Sequence, residues 1–272
     1  MTTPVLSIRN LDIDYIGAET DFHAVKQVSF DIAPGELFGL AGESGCGKST
    51  IAFAVSRLHR PPALIRKGSQ ILVDGRDVLT LDDAELRKFR WREVAMVFQS
   101  AMNSLNPVLT IEDQFHDVLA THTGMSRAAA RTRAAELLKL VDISPDRLSA
   151  YPHQCSGGMR QRIVIAICLA LNPKLLIMDE PTTALDVVVQ REILQRIDVL
   201  RRQLGFSVLF ITHDLSLMVQ VSDRIGIMLE GELVEVNDAQ TIYRAPQHAY
   251  TRKLWASMPR LHGVQITGEV PS

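Results

Sequence analysis

The feature that most constrains the fold is the glycine-rich stretch GESGCGKST at residues 42–50. It follows the strand-like ELFGL and leads into the helix-like TIAFAVSRL, the context in which the pattern G-x-x-x-x-G-K-[ST] forms a phosphate-binding loop. Backbone N–H groups and the lysine of such a loop bind phosphate, and the hydroxyl after the lysine binds Mg²⁺. An ordinary glycine-rich turn is the alternative. We predict that a nucleoside triphosphate binds at Gly42, Ser44, Gly45, Cys46, Gly47, Lys48, Ser49 and Thr50.

Apolar patterning along the chain predicts two kinds of sheet. Residues 5–15 and 25–32 alternate apolar and polar positions, as half-buried antiparallel strands do, and ILVDGRDVL predicts a hairpin around Asp74 and Gly75. Later apolar runs are continuous and are separated by helix-like segments such as 128–140 and 187–204, which is typical of a mostly parallel sheet flanked by helices. Helical periodicity without a convincing strand from about 100 to 160 predicts an inserted helical subdomain.

Polar side chains follow several of these predicted buried strands. KLLIMDEP ends a strand in Asp179 and Glu180, while Gln99 closes VAMVFQ and His213 closes SVLFITHD. Ligands of open α/β sheets bind outside the carboxyl ends of the strands, so these side chains are candidates for a phosphate site. Asp179 suits Mg²⁺, and Glu180 suits the orientation and deprotonation of an attacking water. The alternatives are capping, packing or solvated turn charges.

Two further features indicate contact with a ligand or another chain. HQCSGGMRQR, residues 153–162, places Gly157 and Gly158 directly before an apolar helix-like run, although each glycine weakens an element by about 0.5–1 kcal/mol relative to Ala. Something is therefore expected to approach this backbone closely, unless the segment is simply a flexible loop. Tyr15, at the end of the first predicted strand, has a ring that could stack on adenine, but amphipathic packing explains most tyrosines at such positions.

Composition limits the partners and the compartment. Lys and Arg total 29 against 31 acidic residues, so a nucleic-acid-binding role would need a local basic patch. The densest apolar run, residues 163–171, is shorter than the roughly 18 residues of a membrane span, and the N-terminus lacks the pattern of a signal peptide. Three cysteines form no metal-type pair, which suits a reducing compartment. We expect a cytoplasmic protein that reaches a membrane only through another chain.

In chain order, Tyr15, GESGCGKST, Gln99, CSGGMRQR, LLIMDE, ALD and His213 resemble the motifs of the nucleotide-binding subunit of an ABC transporter. The resemblance runs from about residue 5 to 259, and VFQSAMNSLNPVLTI and APQHAYTRKLWASMP are most similar to the dipeptide, oligopeptide and nickel importer group. It implies a P-loop NTPase (RecA-like) α/β core with an N-terminal antiparallel β subdomain and an inserted helical subdomain. The implied boundaries are an ATPase domain at 1–240, with the insert at about 100–160, and a C-terminal extension at 241–272.

The resemblance also implies roles for the candidate residues. Lys48 and the loop backbone bind the phosphates of ATP. Ser49, Gln99 and Asp179 bind Mg²⁺, and Glu180 is the general base. His213 senses the γ-phosphate, Tyr15 stacks on adenine, and Asp186 couples two sites across a dimer. In that head-to-tail dimer, Ser156 donates to the γ-phosphate of the other subunit, and Gly157 and Gly158 bring backbone N–H groups to it.

The implied partners are a second ATPase subunit, identical or related, and transmembrane permease subunits that contact the helical insert. A solute-binding protein is an indirect partner, and no nucleic acid is expected to bind. The chain is expected on the cytoplasmic face of the cell membrane. The implied function is to energise import of peptides or similar small solutes. A DNA-repair ATPase shares the loop and CSGGMRQR, the signature segment at residues 155–162, but needs long insertions. A translation ATPase normally carries two cassettes. A small kinase or GTPase leaves the signature segment unexplained.

Two cysteines occupy unusual places. Cys155 stands where this family usually has leucine, so we expect altered packing rather than lost activity. Cys46 lies inside the phosphate loop, two residues before Lys48 and near a helix N-terminus, where a thiolate is favoured. The sequence therefore predicts that alkylation of Cys46 inactivates the protein and that MgATP protects it.

Overall fold

The computed structural model of the chain describes residues 3–17, 20–99, 104–182 and 185–256. The strands are β1 (Leu6–Tyr15), β2 (Phe22–Ile32), β3 (Leu37–Gly42), β4 (Ala63–Ile65), β5 (Gln70–Val73), β6 (Arg76–Asp77), β7 (Val94–Val97), β8 (Leu175–Asp179), β9 (Ser207–Ile211), β10 (Arg224–Leu229) and β11 (Glu232–Asp238). The α-helices are α1 (Lys48–Val55), α2 (Asp83–Phe89), α3 (Ile111–Thr123), α4 (Arg127–Leu140), α5 (Gly157–Cys168), α6 (Val187–Leu204), α7 (Leu215–Val221), α8 (Ala239–Arg244) and α9 (Ala249–Ala256).

The N-terminal sheet is antiparallel, with the order β2-β1-β5-β6 and β4 paired to β1. The predicted hairpin is present: Val73 pairs with Arg76, and Asp74 and Gly75 have φ values of 49° and 77°. A two-residue turn with both φ values positive matches the right-handed twist of the strands, which explains the Asp-Gly sequence. Gly75 and its neighbours thus fix the register of this edge of the sheet.

The second sheet has the order β11-β10-β3-β9-β8-β7 and is parallel except for β11. All residues of β3, β8 and β9 are buried, which explains their continuous apolar sequences. Because these strands are parallel, their carboxyl ends open at one edge of the sheet. The phosphate loop begins at the last residue of β3, Asp179 is the last residue of β8, and the segment that carries His213 follows β9, as the sequence predicts.

The helical insert consists of α3, α4 and the start of α5. Its apolar side chains, including Phe115 and Leu137, join one core with those of the parallel sheet. Thr110 and Ser126 are the N-caps of α3 and α4, and their side chains accept the backbone N–H groups of residues 113 and 129. The described part of residues 100–160 contains no strand, in agreement with the sequence pattern.

The described part of the C-terminal extension packs on the same core. Ile242 of α8 is fully buried, and Tyr250, Leu254 and Trp255 of α9 contact the core cluster. The boundary at residue 240 stays a prediction. Over the described ranges, none of the helices unites the length and the apolarity needed to cross a membrane.

Candidate functional site

The phosphate loop connects β3 to α1. Gly47 is the N-cap of α1 with φ 101°, and a Cβ atom there would lie 2.5 Å from the carbonyl oxygen of Ala24, so only glycine fits. Lys48 is 6% exposed, and its Nζ donates to the carbonyl oxygens of Gly42 at 2.8 Å and Glu43 at 2.7 Å. The ammonium group is therefore held at the base of the loop, next to the N-terminus of α1, where an anion is favoured.

Ser49 and Asp179 form the candidate cation site. The Ser49 hydroxyl donates to Oδ1 of Asp179 at 3.0 Å, and Asp179 is 2% exposed at the end of β8. Burial raises the pKa of Asp179, and the neighbouring charge of Glu180 adds to this, while Ser49 and Lys48 oppose it. Hard oxygen donors of this kind fit Mg²⁺, whose charge would stabilise the ionised carboxylate.

Glu180, next to Asp179, contacts two other candidate side chains. Its Oε2 accepts from Nε2 of Gln99 at 3.0 Å, and its Oε1 lies 3.2 Å from Nδ1 of His213. Its φ of 45° turns the chain out of the strand direction, and its backbone N–H donates to the carbonyl of Ile211 at 2.9 Å. The side chains of Gln99 and His213, which follow β7 and β9, thus meet on the carboxylate of Glu180, which follows β8. They lie beside Asp179, as the sequence predicts.

Tyr15 reaches the same region from the antiparallel sheet. Its hydroxyl is 3.4 Å from Oγ1 of Thr50, the last residue of the loop motif. Its ring meets the imidazole of His59 edge to face, at 6.5 Å between centroids. Nε2 of His59 is 2.8 Å from the carbonyl oxygen of Thr50, and burial lowers the pKa of His59. The sequence gives no signal for His59, because its proximity to Tyr15 depends on how α1 packs against the sheet.

The signature segment, residues 155–162, begins a helix, as the apolar run that follows it indicates. Gly157 and Gly158 are the first two residues of α5 and do not form a flexible loop. Ser156 is the N-cap, and its Oγ accepts from the backbone N–H of Met159 at 3.3 Å. A Cβ atom on Gly158 would lie 2.9 Å from Cγ1 of Val189, so this glycine also allows α5 and α6 to pack closely. The helix starts at once because serine caps it.

Asp186 lies beside this segment. It is the N-cap of α6, and its Oδ1 accepts from the backbone N–H of Val189 at 3.0 Å. Ala184, in the ALD motif, lies outside the described residues. Across the described ranges, no hydrogen bond or ion pair joins Ser156 or Asp186 to the phosphate loop. The candidate residues therefore form two clusters within one chain: the loop with the strand ends, and the N-termini of α5 and α6.

The cysteines noted in the sequence are both buried. Cys155 is 7% exposed, its Sγ lies 3.8 Å from the carbonyl oxygen of Tyr151, and burial raises its pKa. A small apolar side chain thus fills the position, and altered packing relative to leucine stays a prediction. Cys46 is 6% exposed, and its Sγ lies 3.4 Å from Nζ of Lys48. An alkylating reagent can therefore reach the Cys46 thiol only when the loop opens.

Alkylation of Cys46 is expected to be slow, to abolish nucleotide binding, and to be slowed further by MgATP, because an occupied loop opens less often. The measurement is the alkylation rate of Cys46 by peptide mass spectrometry, with and without MgATP. Cys46→Ser is the control and should keep nucleotide binding after treatment. Equal rates in the two conditions would contradict the prediction.

Replacement of Asp179 by asparagine is expected to raise the melting temperature of the metal-free protein. The folded-state pKa of Asp179 is raised, so the stability of the wild type falls as the pH rises from its ordinary value through the raised one, and neutral pH carries the full cost. Asparagine removes the buried charge but keeps an oxygen for Ser49.

The same replacement should weaken Mg²⁺-dependent nucleotide hydrolysis by about tenfold or more, because a ligand charge is lost. The checks are thermal melts in EDTA and Mg²⁺ titrations of turnover. Asp238→Asn is the control: Asp238 is the N-cap of α8, its pKa is lowered by the Thr241 side chain and backbone, and its replacement should change neither Mg²⁺ requirement nor turnover. A lower melting temperature for Asp179→Asn would refute the buried-charge argument.

The parallel sheet, the loop and the acidic strand ends define a P-loop nucleotide-binding protein. The family model described as "ABC transporter" matches residues 25–183. The chain belongs to the ABC transporter family, and it is an ATPase of the kind that binds and hydrolyses ATP in such transporters. The resemblance and the fold class predicted from the motifs are thereby confirmed.

Similar proteins agree with this assignment. The chain is 47% identical to the peptidoglycan transport ATP-binding protein YejF of Agrobacterium fabrum over 95% of its length, but spans only 48% of that protein. It is 44% identical to the dipeptide transport ATP-binding protein DppD of Bacillus subtilis, with 97% of the chain and 80% of that protein covered. Its structure matches the ATP-binding cassette MJ0796, a dimer bound to ADP and Pi, with a TM-score of 0.75, 31% identity and coverage of 86% and 98%.

Proposed function

We propose that this chain hydrolyses ATP in a head-to-tail ATPase dimer and so energises the import of peptides or similar small solutes through membrane permease subunits. The observation that carries the proposal is the convergence of Gln99, Glu180 and His213 beside the Ser49–Asp179 pair, at the carboxyl ends of adjacent parallel strands. Transport-protein relatives favour this class over a DNA-repair ATPase.

The phosphates of ATP lie, in this proposal, in the loop between β3 and α1. Lys48 turns from the carbonyl oxygens of Gly42 and Glu43 to the terminal phosphates, since both oxygens are weaker partners than an anion. Tyr15 supplies a ring face for adenine from the antiparallel sheet. Ser49, Asp179 and Gln99 hold Mg²⁺, which when bound neutralises charge on the β- and γ-phosphates.

Glu180 acts as the general base for the attacking water. Gln99 and His213 fix both carboxylate oxygens, so the group is oriented before the substrate binds. The proton of the water passes to a Glu180 oxygen as the water oxygen bonds to the γ-phosphorus. The bond from that phosphorus to the bridging oxygen breaks, so ADP leaves with the bridging oxygen and inorganic phosphate is formed. His213, whose side chain is 63% exposed, remains open to the γ-phosphate side of the site.

The second half of each site comes from another ATPase subunit. Ser156, Gly157 and Gly158 start α5 and therefore present N–H groups and a hydroxyl at a helix N-terminus, which suits a phosphate. Among the described residues of one chain, no hydrogen bond or ion pair joins them to the loop, which supports a role at the nucleotide of a partner subunit. Asp186, at the adjacent N-terminus of α6, links this surface to the partner site. The dimeric state of the similar cassette MJ0796 supports this arrangement.

The permease is proposed to contact the helical insert, with the chain on the cytoplasmic face of the membrane. The insert meets the parallel sheet at a cavity lined by apolar side chains such as Phe98, Leu105 and Leu109. Phe98 is 41% exposed and Leu109 is 37% exposed, which leaves apolar surface for another chain to cover. A solute-binding protein acts only through the permease, and the names of the relatives support peptides as the solute.

Co-purification tests the proposal. The tagged chain is expressed with candidate permease subunits, extracted in mild detergent, and reconstituted in liposomes with solute-loaded binding protein. We expect the chain to be recovered with the permease and its ATP turnover to rise when the loaded binding protein is added. Retention on immobilised DNA without permease association would overturn the transport assignment. An ATP turnover rate that is the same with and without the permease would also overturn it.

A further inference from the structure

The peptide group that joins Gly42 to Glu43 is bound on both of its sides. Its carbonyl oxygen, on Gly42, accepts from Nζ of Lys48 at 2.8 Å. Its N–H, on Glu43, donates to the hydroxyl oxygen of Tyr250 at 3.3 Å. Tyr250 lies on α9, 207 residues further along the chain. A helix of the C-terminal extension therefore contacts the first peptide of the phosphate loop.

The position of Tyr250 is set by a buried carboxylate. Glu235 of β11 is 9% exposed, and its two oxygens accept from the backbone N–H groups of Gln247 at 2.8 Å and His248 at 2.9 Å, just before α9. Burial alone would raise the pKa of Glu235, but these hydrogen bonds outweigh it and hold the pKa below its ordinary value. The carboxylate is thus ionised at neutral pH and fixes the start of α9.

Packing completes the attachment of α9. Thr251 is fully buried, and Leu254 and Trp255 contact the core that also contains the parallel sheet. Burial also raises the pKa of Tyr250, so its hydroxyl stays protonated and uncharged next to the loop. The phenol oxygen is therefore delivered to Glu43 by a helix that is anchored at its start and along its buried face.

We propose that Tyr250 is a positioning residue for the phosphate loop, through which the C-terminal extension sets the affinity for ATP. The proposal rests on the nucleotide site described above. When Lys48 turns toward a phosphate, it leaves the carbonyl side of the 42–43 peptide, whereas the Tyr250 contact on the N–H side does not have to break. Tyr250 keeps the entrance of the loop in its binding orientation, and this lowers the ordering cost of binding.

The test compares Tyr250→Phe with the wild type, using a fluorescent ATP analogue with Mg²⁺. One neutral hydrogen bond is lost, so the Kd is expected to rise about three- to tenfold. In turnover assays the change should appear in KM rather than in kcat at saturating ATP. Tyr243→Phe is the matched control, because Tyr243 belongs to the same extension, packs its ring on Trp255, and makes no contact with the loop in the described structure.

Glu235→Gln is the second variant. An amide offers one oxygen where the carboxylate offers two, so the start of α9 should be held less firmly. The Kd for the ATP analogue should then rise, as in Tyr250→Phe, although no residue of the loop has been replaced. Equal Kd values for wild type and Tyr250→Phe, within about 1.5-fold (under 0.3 kcal/mol), would overturn the positioning role. An unchanged Kd in Glu235→Gln would overturn the role of the extension. Failure of the wild type to bind MgATP would instead refute the nucleotide site itself.

Discussion

Replacement of Glu180 by glutamine is expected to lower ATP turnover by about 10²- to 10⁴-fold, the range that a general base contributes. Glutamine keeps the size of the side chain but cannot accept the proton of the attacking water. Binding of MgATP should persist, because the loop and the Ser49–Asp179 pair are unchanged. Steady-state phosphate release measures turnover, and equilibrium binding of a fluorescent analogue measures affinity.

The same variant should accumulate as an ATP-bound dimer. In the proposed dimer, Ser156, Gly157 and Gly158 close over the partner's ATP, and this closure should persist when the ATP is not hydrolysed. Light scattering after size exclusion should therefore show a doubled mass with MgATP only. Glu232→Gln, an exposed position on β11, is the control and should retain normal turnover. Normal turnover in Glu180→Gln would remove Glu180 from the mechanism, and a monomer in both variants would count against the head-to-tail arrangement.

Replacement of Lys48 by alanine is expected to weaken MgATP binding by about 100-fold. Hydrogen bonds to charged groups contribute about 1.5–3 kcal/mol each, and in the proposed site Lys48 supplies the cation that binds the terminal phosphates. In the unliganded protein the same ammonium ties Gly42 and Glu43 to the helix N-terminus, so the loop also loses order. Isothermal calorimetry with a non-hydrolysable ATP analogue measures the change in Kd.

Lys67→Ala is the matched control, because Lys67 is an exposed lysine in the antiparallel subdomain. It should bind ATP like the wild type. Thermal melts of both variants separate loss of binding from loss of folding. A Kd for Lys48→Ala within a factor of about three of the wild type (under 0.7 kcal/mol) would contradict the phosphate-loop assignment.

Local rules account for much of the fold. The Asp-Gly turn at 74–75 predicts its hairpin because both residues tolerate positive φ, and continuous apolar runs predict β3, β8 and β9 because strands buried on both faces need no polar positions. The prediction of a helix over 187–204 matches α6, since Asp186 caps its start and Gly205 ends it. Each of these signals lies within a few residues of the structure that it specifies.

Part of the site also follows from the chain order of the motifs. The phosphate loop is contiguous, and parallel strands place the residues that follow them at one edge, so Gln99, Glu180 and His213 were expected together and are found together. Gly157 and Gly158 were also expected at a helix N-terminus and lie there, because a serine cap lets a helix begin directly on residues with weak helix propensity.

The family, the phosphate loop and the acidic strand ends could be predicted from the chain alone, because these motifs consist of residue types at short, fixed spacings. The contact of His59 with Tyr15, the anchoring of α9 by Glu235 and the contact of Tyr250 with the loop became evident from the folded structure. These contacts join residues far apart in the chain. No local pattern encodes them, since they arise from the way helices dock on a sheet whose strand order differs from the chain order.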